Sequence, residues 1–418
     1  MRYYDYDESE ISRSNKIPYD NEPIARNRTS GKSQAKSYAP NRIVAFLLVL
    51  LIGFNIVLGY LVFKLTLNSD TNGAPVDVTY IINGESANTT YVASKAMPSA
   101  VCIASGYNSS VNATNISYEN FQNMSDRGAG VIVSINKEYG NATIITCEHV
   151  VSGNQDSIYI LLSDSYKPLK ATYIGGIKEK DIAVLKVVGS DEIKNSSATA
   201  CEVADSAYVA YGDPVLAVGN PMSSGFDTSA GQIRKPLTLV TVSGVGKERV
   251  IATDVPINSG NSGGGLFNAK GELIGIVNAK IENVSIDNYS YAIPANLALS
   301  IAESIQNNNG VAKAAVTGFT FMVSESGKEQ QIINGKVIYT DTVVAKDIVS
   351  GSAADKAGIL DNDIVLSFTF HGSTTIDMIS AYSYEDYSYR IGVGETVTFT
   401  VKRGISVVEC VLTIEEVE

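Results

Sequence analysis

The sequence predicts a mainly β protein preceded by a single membrane-spanning helix, on three observations. Short runs of β-branched and aliphatic residues recur at close spacing, punctuated by Gly and Asn. With almost no helical periodicity among them, these runs read as an all-β barrel or sandwich. One helix stands out after Pro294, where Leu297, Ile301 and Ile305 recur at i, i+4, i+8 and an Asn-Asn-Asn-Gly stretch stops it. Far upstream, residues 43–63 form an uncharged run of 21 residues with Asn55 as the strongly polar member. At 1.5 Å per residue that run spans roughly 30 Å, the thickness of the hydrocarbon layer.

Residues 1–42 are polar and rich in Asn, Ser, Tyr and charge, a composition that reads as a disordered tail. The apolar run that follows is too long and too far from the terminus for a cleaved signal peptide, so residues 43–64 read as an uncleaved signal anchor. Arg26, Arg28, Lys32, Lys36 and Arg42 precede it, against the single acid Glu22. That bias places the N-terminus in the cytoplasm and sends the rest across a cell membrane. Residues 65–94 read as a polar linker with at most a short strand at 76–82. A folded region opens at Lys95, with 105–127 an Asn/Ser-rich surface loop. Strands follow at 130–135, 143–147, 157–162, 170–174, 182–188, 214–218, 237–245 and 273–279, and the helix after Pro294 closes this domain near residue 310.

The net charge of −12 and pI near 4.8 exclude a nucleic-acid partner, since phosphate binding needs a basic face. Beyond residue 64 the chain carries 23 basic and 38 acidic residues, near −15, which keeps the exported part soluble and off an anionic membrane surface. Cys102, Cys147, Cys201 and Cys410 are widely spaced with no Cys-x-x-Cys pair, which argues against a metal site. Disulfide pairing and four free apolar thiols both remain open.

With two histidines in the chain, each is read individually. His149 stands in Thr-Ile-Ile-Thr-Cys-Glu-His, at the end of an apolar strand leading into a polar turn. Asp181 opens Asp-Ile-Ala-Val-Leu-Lys-Val, one carboxylate at the mouth of a buried strand. Ser262 lies in Asn258-Ser-Gly-Asn-Ser-Gly-Gly-Gly265, where Gly260 lets its own N–H and that of Ser262 converge on one spot. Taken singly, each has an ordinary structural explanation: a hydrogen-bonded histidine, a strand-start turn and a glycine-rich hairpin. Together they run His, Asp, Ser, the chain order of one nucleophilic-triad arrangement. In that reading Ser262 attacks a carbonyl, His149 is the general base, Asp181 orients the ring, and the Gly260 and Ser262 N–H groups form the oxyanion hole.

Five blocks resemble the HtrA/Deg family of trypsin-fold serine proteases, in family order. They are Arg127-Gly-Ala-Gly-Val-Ile-Val, Thr146-Cys-Glu-His-Val-Val-Ser-Gly, Asp181-Ile-Ala-Val-Leu-Lys-Val, Ala217-Val-Gly-Asn-Pro and Thr253-Asp-Val-Pro-Ile-Asn-Ser-Gly-Asn-Ser-Gly-Gly. Over residues 95–310 the resemblance implies a chymotrypsin-like double antiparallel β-barrel with the cleft between its halves, and a triad of His149, Asp181 and Ser262. It further implies a serine endopeptidase acting on unfolded or exposed polypeptides without a cofactor, and a homotrimer. Ser259 and Gly265 stand where the family has proline, which leaves the nucleophile loop less preorganised. Val255, Pro256 and residues 222–235 also depart from the family pattern. Pro256, six residues before Ser262, is not acidic, so a small or medium aliphatic side chain is expected before the scissile bond. The alternative is a chaperone-like or peptide-binding scaffold of the same fold, in which these departures leave the triad weak or inactive.

Residues 314–418 resemble a PDZ domain through Ile348-Val-Ser-Gly-Ser-Ala-Ala-Asp-Lys-Ala-Gly-Ile-Leu-Asp-Asn-Asp-Ile-Val-Leu and Gly394-Glu-Thr-Val-Thr-Phe-Thr-Val-Lys-Arg-Gly. That resemblance implies capture of peptide C-termini by sheet-edge addition. The candidate binding loop is Thr317, Gly318, Phe319, Thr320 and Phe321, opposite a Tyr- and acid-rich helix within 382–389.

Overall fold

The computed structural model describes residues 88–106, 116–220, 225–242, 246–258, 260–279, 289–333, 335–372 and 374–416. The predicted tail, the anchor run 43–63 and the strand at 76–82 lie outside them. Among the described residues no helix is long and apolar enough to cross a membrane.

Two closed six-stranded antiparallel barrels follow one another along the chain. The first comprises β1 (Ala100–Ser105), β2 (Asp126–Asn136), β3 (Asn141–Thr146), β4 (Ile158–Leu162), β5 (Leu169–Ile177) and β6 (Ile182–Val187), ordered β1-β2-β3-β6-β5-β4. The second comprises β7 (Pro214–Gly219), β8 (Asp227–Val242), β9 (Gly246–Thr253), β10 (Gly265–Asn268), β11 (Leu273–Val277) and β12 (Ser290–Pro294), ordered β10-β11-β12-β9-β8-β7. This is the chymotrypsin-like double barrel. Closure leaves neither sheet an open edge, and β1, β4 and β11 are buried along their whole length.

The helix Ala295–Asn307 packs against β5, β6, β11 and β12. Leu297, Ile301 and Ile305 are its buried positions together with the small residues between them, the stripe that its sequence period requires. Two sequence-based expectations are corrected. The stretch read as linker already contains the helix Thr89–Ala96, capped by the Asn88 side chain, with Val92 and Ala96 one turn apart in the barrel core. The stretch 105–127, read as a surface loop, holds the helix Tyr118–Gln122 and buries Ile116, Phe121 and Met124 against Cys102, Tyr159 and Leu161. Its three large apolar side chains are too widely separated to give a period.

The C-terminal module is a curled sheet of β13 (Thr320–Ile333), β14 (Lys336–Lys346), β15 (Ile364–Phe370), β16 (Thr374–Asp377), β17 (Thr396–Arg403) and β18 (Ser406–Thr413), ordered β13-β14-β15-β17-β18 with β16 on β15. Phe319, Phe368, Tyr384 and Phe399 interlock at its centre with ring centroids 5.3–5.9 Å apart, the range of favourable aromatic pairs. The short helix Glu385–Ser388 turns its acids the other way, toward the barrels. Arg249 on β9 meets the Asp386 carboxylate with both terminal nitrogens, Nη1 lying 2.9 Å from Oδ2. Lys180 Nζ lies 2.8 Å from Glu385 and 3.2 Å from Glu248 of β9, and Asn296 Nδ2 donates to Tyr387 Oη at 3.1 Å.

Candidate active site

His149 lies in the short helix Glu148–Val151, directly after β3, and Asp181 immediately precedes β6. β3 and β6 are paired, with Thr146 opposite Ala183, so two residues 32 apart in sequence meet at one end of the first barrel. Asp181 holds this end together with both carboxylate oxygens and its carbonyl. Oδ1 accepts the His149 N–H at 2.9 Å, Oδ2 lies 2.6 Å from His149 Nδ1, and the carbonyl accepts the Glu148 N–H at 3.2 Å. The carboxylate thus accepts from both the main chain and the ring of one histidine. This fixes the proton on Nδ1 and leaves Nε2 as the basic nitrogen. Asp181 itself sits at φ +52°, a left-handed backbone that Asp tolerates better than most residues.

Ser262 arrives from the second barrel, on the turn before β10. Its carbonyl accepts the Ala129 N–H of β2 at 2.8 Å, Gly263 N–H donates to Val277 O at 2.9 Å, and Val277 N–H donates to Gly264 O at 2.8 Å. The turn is therefore clamped between β2 of one barrel and β11 of the other. Gly263 has φ +84°, and a Cβ there would lie 2.2 Å from Thr146 Oγ1, 2.3 Å from Ala129 O and 3.0 Å from the Cys147 N, so no larger residue fits. These contacts seat the turn against the segment that leads to His149. Gly260, at φ +101°, has its carbonyl turned to the Asn220 N–H at 3.3 Å. Among the described residues nothing accepts the N–H of Gly260 or of Ser262.

Ser262 Oγ accepts the Ala279 N–H at 3.1 Å, and among the described residues no hydrogen bond joins it to the His149 ring. The serine is 4% exposed, and the His149 side chain 24%. In this arrangement the hydroxyl rests on the main chain at the end of β11, and catalytic contacts of this kind commonly tighten only when substrate is bound. One partner was not foreseen from the sequence. Asn278, 3% exposed, donates from Nδ2 to Asp181 Oδ2 at 2.9 Å. An Asn following an apolar strand carries no signal that separates it from a turn residue.

Gly265 opens β10, where an added Cβ would fall 2.4 Å from the Phe267 ring, so packing within β10 accounts for this glycine. Ser259 lies outside the described residues, and Pro256 is exposed. Cys147 Sγ lies 3.4 Å from Val277 O, and its thiol, His149 and Asp181 come within 4.8 Å of one another. That grouping is the hydrogen-bonded site itself. All four cysteines are free, which answers the question of pairing. Burial pushes the Cys102 and Cys201 thiols up to about 12.

In the C-terminal module, Thr317 and Phe319 are buried. The Thr317 and Gly318 carbonyls accept the N–H groups of Ala354 (3.1 Å) and Val349 (2.8 Å). Gly318, at φ +83°, faces Ser352 with no room for a Cβ. Thr320 and Phe321 begin β13, the terminal strand of its sheet, and Phe321 stacks on Tyr384 at 5.2 Å. His371 pairs with Glu395 at 2.8 Å on the surface.

A family model described as a trypsin-like peptidase domain matches residues 128–276. Serine protease Do-like HtrA of Lactococcus lactis subsp. cremoris (strain MG1363) is 31% identical over an alignment of 291 residues that covers 66% of this chain and 68% of that protein. Serine protease Do-like HtrA of Bacillus subtilis (strain 168) is 28% identical over 305 residues, 71% of this chain and 65% of that protein. Among solved structures, an HtrA-type protease AlgW with decapeptide covers 79% of this chain and 98% of that one at 25% identity, with a TM-score of 0.45.

Proposed function

As the chain belongs to the HtrA-type family of trypsin-fold serine proteases and is a serine endopeptidase, we propose that His149, Asp181 and Ser262 are its triad and that the N–H groups of Gly260 and Ser262 are its oxyanion hole. The observation that carries this reading is the double engagement of His149 by Asp181, at 2.9 Å through the main chain and 2.6 Å through the ring, beside a clamped serine turn. Rotation of Oγ away from Ala279 brings it toward His149, which takes its proton as Oγ attacks the scissile carbonyl. The carbonyl oxygen, now an anion, meets the two free N–H groups. His149 then passes the proton to the leaving amine, and water repeats the sequence on the acyl-enzyme. Asp181 holds the ring orientation and stabilises the imidazolium. No metal or organic cofactor enters these steps. The test is Ser262→Ala against wild type on an unfolded protein substrate: turnover is expected to vanish in the variant, and equal turnover would reject the assignment.

The same reading takes the C-terminal module as a PDZ domain. A peptide C-terminus adds to β13 beside residues 317–321, displacing the Phe321–Tyr384 stack, and this acts on the protease through the helix Glu385–Ser388. Support comes from Lys180, adjacent to Asp181 in sequence, whose ammonium is held by Glu385. Calorimetry with hydrophobic C-terminal peptides, followed by a turnover assay, tests both parts. Substrates are unfolded or exposed polypeptides with a small or medium aliphatic residue before the scissile bond. Residues 43–63 anchor the protein with its N-terminus cytoplasmic, tested by carbonate extraction and by protease access in spheroplasts. Light scattering on the soluble portion tests for the homotrimer.

A further inference from the structure

A buried polar atom normally finds a partner within the fold, and two that do not belong to residues on one cavity. Arg249 of β9 engages Asp386 with both terminal nitrogens, and its buried Nε has no partner among the described residues. Asp341 of β14 has its side chain 9% exposed, and its Oδ1 likewise accepts no hydrogen bond there. Lys328 Nζ stands 3.8 Å from that oxygen, beyond hydrogen-bond reach. Both residues line a cavity between the second barrel and the C-terminal module. Val209 and Leu237 wall it from the barrel, Ile338 and Ile379 from the module. Tyr211 and Tyr339, half exposed and edge to face at 6.0 Å, form the solvent side of its wall. The cavity leaves about 70 Å³ for the centres of water-sized molecules, several times the room that one water needs.

We propose that this cavity is a binding site for a compact neutral amide carried on a branched aliphatic group. The two unpaired atoms set the polar part of the ligand. Arg249 Nε–H is a donor and Asp341 Oδ1 an acceptor, so the ligand offers one acceptor and one donor, which an amide does from separate atoms. The charges set its neutrality. Arg249 is matched by Asp386, and Asp341 faces Lys328, so the four charged side chains of the lining cancel. An ion entering here gives up its water without meeting a free counter-charge. The walls set the remainder, because a branched aliphatic group is buried against Val209, Leu237, Ile338 and Ile379. Water alone satisfies the two polar atoms but leaves those walls wet, and a ligand that reproduces its hydrogen bonds while covering them displaces it favourably. The walls come from both modules, so a bound amide bridges them, and this holds whether or not the triad and peptide readings above are right.

The experiment titrates isovaleramide into the detergent-solubilised full chain and follows the ligand by saturation-transfer NMR. Methyl isobutyl ketone keeps the shape and the acceptor but lacks the donor, and isovalerate keeps the shape but carries a charge. Isovaleramide is expected to bind with a Kd on the order of millimolar, as befits so small a ligand. The ketone should bind at least about fivefold more weakly, for want of the hydrogen bond to Asp341, and isovalerate should not bind. Asp341→Leu removes the acceptor and should bring amide and ketone to the same affinity. Val337→Trp, at an exposed position of the lining, should fill the cavity and abolish the binding of both. Equal affinity of the wild type for amide and ketone, binding of isovalerate as tight as that of the amide, or amide binding retained in folded Val337→Trp would each overturn the proposal. So would the absence of saturable isovaleramide binding below about 100 mM, which leaves ordered water as the occupant. Should Asp341→Leu fail to fold, the comparison of the three ligands on wild type and Val337→Trp decides alone.

Discussion

Removing Asp386 from the interface between barrel and C-terminal module is the most demanding test of how the two parts are held. Arg249 and Asp386 are 6% and 2% exposed and meet through two hydrogen bonds. Burial lowers the Arg249 guanidinium to about 10, against the pull of Glu385, Tyr382 and Glu248, which acts to raise it; the group is still charged at neutral pH. Asp386→Ala strands that cation, whose Nε already lacks a partner among the described residues. An uncompensated buried charge of this kind costs about 3–5 kcal/mol. The expected result is an early unfolding transition for residues 314–416, separate from that of the barrels, and rapid cleavage of the intervening chain by an added protease. In the double variant Arg249→Met/Asp386→Leu both charges are gone and an apolar pair fills the space. It should recover most of the loss, because a buried ion pair is roughly balanced by its desolvation. Chemical denaturation of wild type, Arg249→Met, Asp386→Leu and the double variant closes the cycle. A loss below about 1 kcal/mol for Asp386→Ala, or a double variant as unstable as the single, would refute this account of the interface.

Two further predictions concern the barrels. Gly263→Ala places a Cβ against Thr146 Oγ1 and Ala129 O at φ +84°, so denaturation should show a loss of about 2 kcal/mol or more, together with loss of labelling by a serine-directed phosphonate. Cys102 has its thiol raised by burial from 9.0 to about 12. The folded chain therefore keeps this proton where the unfolded chain has lost it. The stabilisation is complete below the ordinary thiol value and is lost as pH rises toward the folded one, at about 1.4 kcal/mol per pH unit. Stability measured across that alkaline window should fall less steeply in Cys102→Ala, and an unchanged slope would reject the burial argument.

Much of the double barrel was legible because its strands carry their own signal. The apolar runs near 158, 182, 214 and 273 became β4, β6, β7 and β11 within a residue or two. Strands that mix polar and apolar residues were harder. β9, Gly-Lys-Glu-Arg-Val-Ile-Ala-Thr, puts Glu248 and Arg249 in its first half, and only the fold reveals that Glu248 meets Lys180 and that Arg249 meets Asp386 of another module. β10 is four residues long and begins with a glycine dictated by Phe267. His149, Asp181 and Ser262 could be singled out as candidates because each stands beside a strong apolar strand or an unusual glycine run. Asn278 could not, because its partner is a carboxylate 97 residues earlier. Hydrogen bonds between distant polar side chains leave no period in a sequence.

The same limit applies to Lys180, and there it bears on the proposed regulation. In sequence it is one of three charges in Lys178-Glu-Lys180 before Asp181, an ordinary solvated turn. In the fold it is a bridge between three elements: the turn that positions Asp181, Glu248 of β9 and Glu385 of the C-terminal module. Burial disfavours its charge, yet Glu385 and Glu248 outweigh that and hold the ammonium above its usual range. Asp181 already occupies a left-handed backbone conformation at φ +52°, so its turn has little freedom to absorb a shift of its neighbour. On the proposed reading, a displacement of the helix Glu385–Ser388 would be transmitted through one ion pair to the residue beside Asp181. Lys180→Met should accordingly loosen the response of turnover to any C-terminal peptide while leaving peptide affinity unchanged, and a parallel loss of affinity would place the coupling elsewhere.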